Sequence, residues 1–541
     1  MTPAWIIIMA YIAAMILFAV WARRDFNGDD ESYYLASRGI SGFVLLITMA
    51  ATNFSAFTVY GSSGAAYRIG LSFLPIMAFG TGFMSVSMYL IGKRVRNLSL
   101  EHGAMTAPEI IKGQTGSRNA QLTMAAILII ATIPYLALQP RAAGIVVSAL
   151  FGGPEWVGSV LVTLLVIGYT LSGGLKAVVR TDIAQGAIAL LLLWLGLAMV
   201  IGHLGGLGTA MEEISASDST SRLLEREENY TMLIWTSTML LWIFADPMFP
   251  QLFQRLCAAD SDLSIGRMAT FYPIVAWLAF LPPILIGTMG HLEYPNLVDS
   301  DNILPNLVID AGGEWIGGLV LVAGLAALMS TMDSQLLATG SLVTRDLMNR
   351  EELPTVVSRE VIITALALFG LGLSLWSELS ILNLGLLAFS MYAVMFPSVF
   401  VAIRTGSLEG RAVISSVLIG EAVVMLAVFY PEAFDGWWIR PVGAAMPTVV
   451  IPALISSTIA LFVSQFIFSD DSEILGVVFD RNSFPKPMIG LVIVFALAQD
   501  FWWWENGKIV ALGMPIWVWW AALLSVAQTA ILANWTAQDA R

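Results

Sequence analysis

In the stretch GLAALMSTMDSQLLATGSLVTRD, Ala327, Ser330 and Thr331 stand at i, i+3 and i+4, so a helix there shows a backbone carbonyl and two hydroxyl oxygens on one face. Neutral oxygens grouped this way suit a hard cation. The same hydroxyls can bond back to their own helix carbonyls, so the pattern points to an ion only in company with other oxygens. Asp333 lies near this face, placed to neutralise a bound ion or to take a proton. The company comes from LLITMAATNFSAFTVYGSSGAAY, where Thr52, Asn53 and Ser55 interrupt an apolar run near its middle. Where a membrane helix breaks, its freed carbonyls need partners, and a sodium ion coordinated by oxygens supplies one; close packing of small residues is the bland alternative.

A second run, LLWIFADPMFPQLFQR, carries Asp246, Pro247 and Pro250 in its interior. Proline removes a backbone hydrogen bond and kinks a helix. An unpaired charge in the membrane costs at least about 2.5 kcal/mol, so Asp246 needs a partner or a wet cavity. A third run, IPYLALQPRAAG, brings Tyr135, Gln139 and Arg141 into an apolar setting. The planar fork of Arg141 matches a carboxylate. A salt bridge to Asp246 or Asp333, or snorkelling to the outer surface, would use it equally well.

The elements that must position these residues follow from composition. Of 541 residues, 57% are hydrophobic and 12% charged, against roughly 25% charged in a soluble domain. Apolar runs of about 18 residues or more recur, each long enough to cross a hydrocarbon core of about 30 Å as a helix. Open strands would leave backbone groups unpaired in lipid. The reading is an all-α polytopic membrane protein with about fifteen transmembrane helices. The run from Pro3 to Trp21 is followed, not preceded, by Arg23 and Arg24, so it reads as a span with its N-terminus outside, not as a signal peptide. Alternation from there places Arg38, Lys93, Arg94, Arg96, Lys176, Arg180, Arg255, Arg267, Arg345, Arg350, Arg404 and Arg411 on the cytoplasmic side, against Arg68, Arg222, Arg226, Arg440 and Lys508 opposite. That is the positive-inside bias, and an odd count of spans leaves the C-terminus cytoplasmic.

Composition also excludes. The formal charge of −13 lies largely in loops such as Glu212 to Glu228, where solvation explains it, and no nucleic-acid partner is indicated. The single Cys257 rules out a disulfide within one chain, and His102, His203 and His291 have no metal-ligand spacing. No nucleophile and base are paired on neighbouring segments, so an enzyme is not expected. A channel is disfavoured because no glycine-rich selectivity loop or ring of like charge is present.

At YTLSGGLKAVVRTDIAQ, Tyr169 to Gln185, the chain resembles the signature of the sodium:solute symporter family, which includes sodium/proline, sodium/pantothenate and sodium/monocarboxylate-like carriers. LMSTMDSQLL followed by TRDL is similar to that family's eighth core helix, PQLFQRLCAADS to its loop after the second broken helix, and DDESYYLASRGIS to its stretch before the first. The resemblance implies a leucine-transporter-type 5+5 inverted repeat. The organisation would be an N-terminal extra helix and loop at 1–40, a first five-helix repeat at 41–210 and a second, inverted, at 228–404. Two further family helices follow at 405–470, then a cytoplasmic loop and two extra C-terminal helices at 471–541.

By the same resemblance a sodium ion is held by backbone carbonyls of Ala51, Phe54 and Ala327 and the hydroxyls of Ser330 and Thr331, with Asp182 facing it from behind or supporting its exit. Tyr135, Trp242 and Pro250 fall where the proline carriers contact their solute. Asn53 stands where those carriers have an aspartate and Asp246 where they have a tyrosine, so the resemblance does not imply specificity for proline. PYLALQ looks more like carriers of monocarboxylates and pantothenate. The expected solute contacts are Asn53, Ser55, Tyr135, Gln139, Arg141, Trp242, Asp246 and Pro250, with Asp333 as a possible coupling acid. The expected function is sodium-coupled symport, in a cell membrane such as a bacterial inner membrane, of a small organic solute bearing a carboxylate, either a monocarboxylate or an amino acid. A proton-coupled carrier working through Asp246 or Asp333, or a sensor that binds solute without moving it, are the alternatives.

Overall fold

The computed structural model describes residues 3–22, 30–171, 174–226, 230–348, 358–434, 449–469, 485–504 and 508–539. Arg23, Arg24, Arg350 and Arg440 of the charge count, and Ser172 and Gly173 of the signature, lie outside the described residues. Described residues are almost entirely helical. Apart from short helices at Asp30–Leu35, Ala107–Thr115 and Leu207–Ala216, the helices are α1 (Pro3–Ala22), α2 (Gly42–Asn53), α3 (Phe57–Ser72), α4 (Pro75–His102), α5 (Arg118–Phe151), α6 (Glu155–Thr170) and α7 (Gly174–His203). After these come α8 (Met232–Ala245), α9 (Pro250–Ala258), α10 (Asp262–Met289), α11 (Ile303–Ser341), α12 (Arg359–Trp376) and α13 (Ile381–Thr405). The chain closes with α14 (Gly410–Phe429), α15 (Val450–Phe468), α16 (Lys486–Leu497) and α17 (Ile516–Asp539). Ten of these elements are long and apolar enough to cross a membrane, or twelve when each of two bent pairs counts as one span. The apolar parts of α1 and α6, and the twelve-residue α16, are shorter.

The two bent pairs are the structural signature of the chain. Helices α2 and α3 meet at 63°, and α8 with its terminal turn meets α9 at 54°. The first break falls where Phe54 leaves the helical region at φ −81°, ψ 93°, and Phe57–Gly61 resume as a wide π-helical turn. At the second, Asp246–Met248 tighten into a 3-10 turn, Phe249 extends, and Pro250 opens α9 at a position where its missing N–H costs nothing. Both breaks are buried in protein, as irregular backbone at membrane depth must be.

Small residues let the helices approach around these breaks. A Cβ on Gly287 of α10 would lie 2.1 Å from the Ser63 carbonyl oxygen, and one on Gly324 of α11 would strike the Tyr60 hydroxyl. Helices α2, α7 and α11 pack on one another, as do α4, α10 and α17. Outer helices show Leu191, Leu368, Phe369, Trp376, Ile455 and Ile459 to the surroundings, the apolar face that lipid demands. Two spans differ from their sequence outline. Helix α7 starts at Gly174, so the signature is helical from Gly174 onward and Asp182 rides on its early turns. Helix α11 runs 39 residues because an outer helix joins it through a kink at Gly313, φ 62°.

Candidate functional site

Five oxygens gather where α2 ends. Ser330 Oγ donates to the Ala51 carbonyl at 2.7 Å and sits 2.9 Å from the Ala327 carbonyl. Thr331 Oγ1 lies 3.0 Å from the Thr52 carbonyl and 3.2 Å from that of Ala327. The carbonyls of Ala51 and Thr52 are free for this because the helix stops at Asn53 and provides no later N–H to claim them all. All five oxygens are buried. Three carbonyls and two hydroxyls, with no group of three or more acidic, histidine or cysteine side chains able to hold a metal among the described residues, form a donor set for an alkali cation. Of the residues expected to hold sodium, the structure brings together Ala51, Ala327, Ser330 and Thr331. The N–H of Phe54 caps the helix on the Ala50 carbonyl, and Phe54 lines an apolar cavity of about 260 Å³ together with Ala51, Ala327 and Ser330. The Thr52 carbonyl joins the cluster as an oxygen that the sequence reading did not name.

Behind this cluster lies a buried ionic knot. Arg255, on α9, donates through Nη2 to Asp182 Oδ2 at 2.7 Å and to Ser334 Oγ at 2.9 Å, through Nε to Thr48 Oγ1 at 2.9 Å, and through Nη1 to the Gln251 carbonyl. The hydroxyls of Thr48 and Thr52 also donate to Asp182 Oδ2. Four helices, α2, α7, α9 and α11, are thereby tied at one point. The knot lies towards the end of the bundle that carries Arg38, Arg96 and Lys93, where Arg38 reaches the Cys257 carbonyl and Lys93 pairs with Asp539. Counted as a loop cation from the sequence, Arg255 is fully buried; its interior position within α9 is the signal that charge counting passes over. Asp182 stands one layer behind the five oxygens, linked to them by Thr52, whose carbonyl meets Thr331 and whose hydroxyl meets Asp182 and Ser334. Asp333 is buried in the same layer, with Oδ1 accepting from Ser334 and no hydrogen-bond partner on Oδ2.

The expected solute contacts divide into two groups. Asn53 Nδ2 donates to Asp246 Oδ2 at 3.2 Å and to the Tyr272 hydroxyl at 2.8 Å, so the two broken helices touch through these side chains. Ser55 caps the Phe57 N–H, and Gln139 Oε1 accepts from the Ala56 N–H. Beyond them Phe57, Trp242 and Phe389 form a triangle with ring centroids 5.2 to 5.5 Å apart. Tyr135 and Phe249 close on Phe389 at 4.8 and 5.0 Å. Pro250 starts the helix that follows Phe249. Sequence reading missed Phe57, Phe249, Tyr272 and Phe389, which nothing in local spacing marks out.

Arg141 is the exception. It points away from both Asp246 and Asp333, donating to the Ser377 carbonyl at 3.2 Å and lying 3.9 Å from Asp299. Helix α5 is 34 residues long, which carries its second half past the level of the breaks and lets Arg141 reach the opposite end of the bundle. There the connection between α10 and α11 is fastened down. The Tyr67 hydroxyl bonds the Tyr294 carbonyl at 2.5 Å, Tyr67 stacks on His291, Arg68 bonds Ser300, and Asp301 Oδ2 accepts from the Ile381 N–H.

Comparison with known proteins adds the following. The chain is 27% identical over 346 residues to a sodium/pantothenate symporter of Haemophilus influenzae, covering 63% of this chain and 71% of that protein. It is 25% identical over 484 residues to a sodium/proline symporter of Staphylococcus aureus, covering 85% and 91%. In fold it is similar to the substrate-bound outward-open structure of a sodium-coupled sialic acid symporter, with a TM-score of 0.69 at 18% identity over 87% of this chain and 98% of that one. A model of the sodium:solute symporter family matches residues 33–420, so this multi-pass membrane chain, with its paired helix breaks and buried oxygen cluster, belongs to that family.

Proposed function

We propose that the protein carries a small organic solute into the cell by sodium-coupled symport with alternating access, on a leucine-transporter-type scaffold of two inverted five-helix halves beginning at the two breaks. The observation that supports this most is the five-oxygen cluster formed by Ala51, Thr52, Ala327, Ser330 and Thr331, set between a broken helix and α11. Sodium is the ion this neutral, compact donor set suits. The N-terminus lies outside, the C-terminus inside, and the Arg255 knot closes the cytoplasmic path. At the other end, the links from Tyr67, Arg68 and Ile381 to the α10–α11 connection close the outer path, so the described conformation reads as occluded.

Coupling follows from differential affinity. Sodium drawn to the Thr52 carbonyl fixes the segment whose hydroxyl supports the Asp182–Arg255 pair, and so favours the inward-closed state. One sodium ion moving inward gains about 2.3 kcal/mol per 100 mV and roughly 1.4 kcal/mol per tenfold gradient, together enough for several-hundred-fold accumulation. For the solute, the position of Arg141 removes the arginine that would have held a carboxylate in the centre, and the class stays a small organic solute, an amino acid or a monocarboxylate. The test is uptake of labelled amino acids and monocarboxylates into proteoliposomes with an inward gradient of sodium, then of protons, then of neither. Accumulation with sodium alone is expected. Accumulation with protons alone would shift coupling to Asp333, whose Oδ2 has no hydrogen-bond partner, and binding without accumulation would favour a sensor.

A further inference from the structure

Asp246 is a carboxylate without a cation. It is 1% exposed, accepts one hydrogen bond from Asn53 on Oδ2, and has no partner on Oδ1. It forms no ion pair among the described residues, and Arg255, nine residues on, is taken up by Asp182. A buried carboxylate left in this way costs several kcal/mol unless a proton or another positive charge reaches it. Its own segment says what kind of charge. Trp242 lies one turn before it and Phe249 three residues after, and both join Phe57, Tyr135 and Phe389 in the aromatic cluster. The Trp242 indole N–H also has no partner. Aromatic faces beside a carboxylate attract an organic ammonium, whose charge is diffuse and whose substituents are apolar. A bare sodium ion prefers the compact oxygens at Ser330 and Thr331.

We propose that Asp246 anchors a positively charged nitrogen on the transported solute, which is therefore an organic ammonium compound, cationic or zwitterionic. This rests on the solute-carrying reading above and narrows its substrate class. Sodium occupies one side of the first helix break and the ammonium the other, with Asn53 joining Asp246 to the segment the ion orders.

The test uses the purified full-length protein in nanodiscs at saturating sodium, with binding measured by calorimetry for choline and glycine betaine and for their tert-butyl isosteres, in which carbon replaces the nitrogen. At least one ammonium probe is expected to bind at least about tenfold more tightly than its isostere. Asp246→Asn should remove most of that preference and Asp246→Glu restore part of it. Sodium is expected to protect the wild-type protein against thermal unfolding, and the same protection in both variants would show a folded protein with its ion site intact. Isosteres that bind as well as the ammonium probes, an Asp246→Asn protein that keeps the preference, or no binding of either ammonium probe would overturn the proposal. Sodium-driven uptake of an uncharged solute would overturn it while leaving symport standing, whereas loss of all sodium-driven uptake would strike the symport reading itself.

Discussion

Thr52 serves two neighbours at once. Its carbonyl meets Thr331 in the five-oxygen cluster, and its hydroxyl meets Asp182 and Ser334 in the ionic knot. The two jobs separate by mutation. Removing both hydroxyls with Ser330→Ala and Thr331→Ala takes two of five ligands from the ion, and the sodium concentration for half-maximal uptake should rise about tenfold or more, which is roughly 1.4 kcal/mol. An unchanged sodium dependence would sink the assignment. Thr52→Val keeps the carbonyl and the volume but loses the hydroxyl, worth about 1 kcal/mol in the closed knot. The single cysteine reports on this, because Cys257 is buried two residues beyond Arg255. Its labelling by a permeant maleimide in saturating sodium should quicken about fivefold in Thr52→Val, and a rate equal to wild type would argue that Thr52 does not link ion to gate.

Elements pack here through absences of side chain. Gly287 on α10 lies against the backbone of Ser63 on α3, where a Cβ would come within 2.1 Å of a carbonyl oxygen and 2.9 Å of Cα. Backbone cannot rotate aside as a side chain does, so Gly287→Ala should cost about 1–3 kcal/mol or more and lower the thermal midpoint in detergent. Gly168→Ala on α6, whose Cβ meets nothing within 4 Å, should leave it unchanged or raise it slightly. Equal midpoints for the two variants would refute the packing argument. The elements themselves were largely legible: apolar runs outlined the spans, and proline and small polar residues marked both breaks. Ser330 and Thr331 were legible too, since helical spacing alone puts them on one face. Arg255, Arg226 and Arg141 were not. Their partners lie 73, 274 and 236 residues away, and no local period carries that information. Charge counting treats any arginine near a span end as solvated, and Gly313 let an outer helix merge with a span that sequence alone begins later.

On the scale of the whole molecule, the question is what the last two helices do, since α16 and α17 follow the stretch that matches the family. Helix α17 lies along α10, and Gln528 donates to the Gly82 carbonyl and Ser85 of α4. At one end Asp539 pairs with Lys93. At the other, Arg226, from the connection between α7 and α8, is buried against Asp500 Oδ1 at 2.5 Å, with its guanidinium 5.1, 5.9 and 4.7 Å from the ring centroids of Trp235, Trp504 and Trp517. The cage draws its rings from α8, the α16–α17 connection and α17, so one cation clamps the last two helices to α8 and the connection that precedes it. Trp504 and Trp517 are buried packing for this charge. Removing one partner of a buried pair leaves the other uncompensated, at about 3–5 kcal/mol, while removing both with apolar replacement costs far less. Arg226→Met and Asp500→Leu should therefore each lower the thermal midpoint sharply, and the double variant should recover most of the loss, a coupling that a double-mutant cycle reads directly. Additive losses would mean that the clamp holds through its aromatic contacts alone, and the ion pair would then be incidental to how the added helices stay docked.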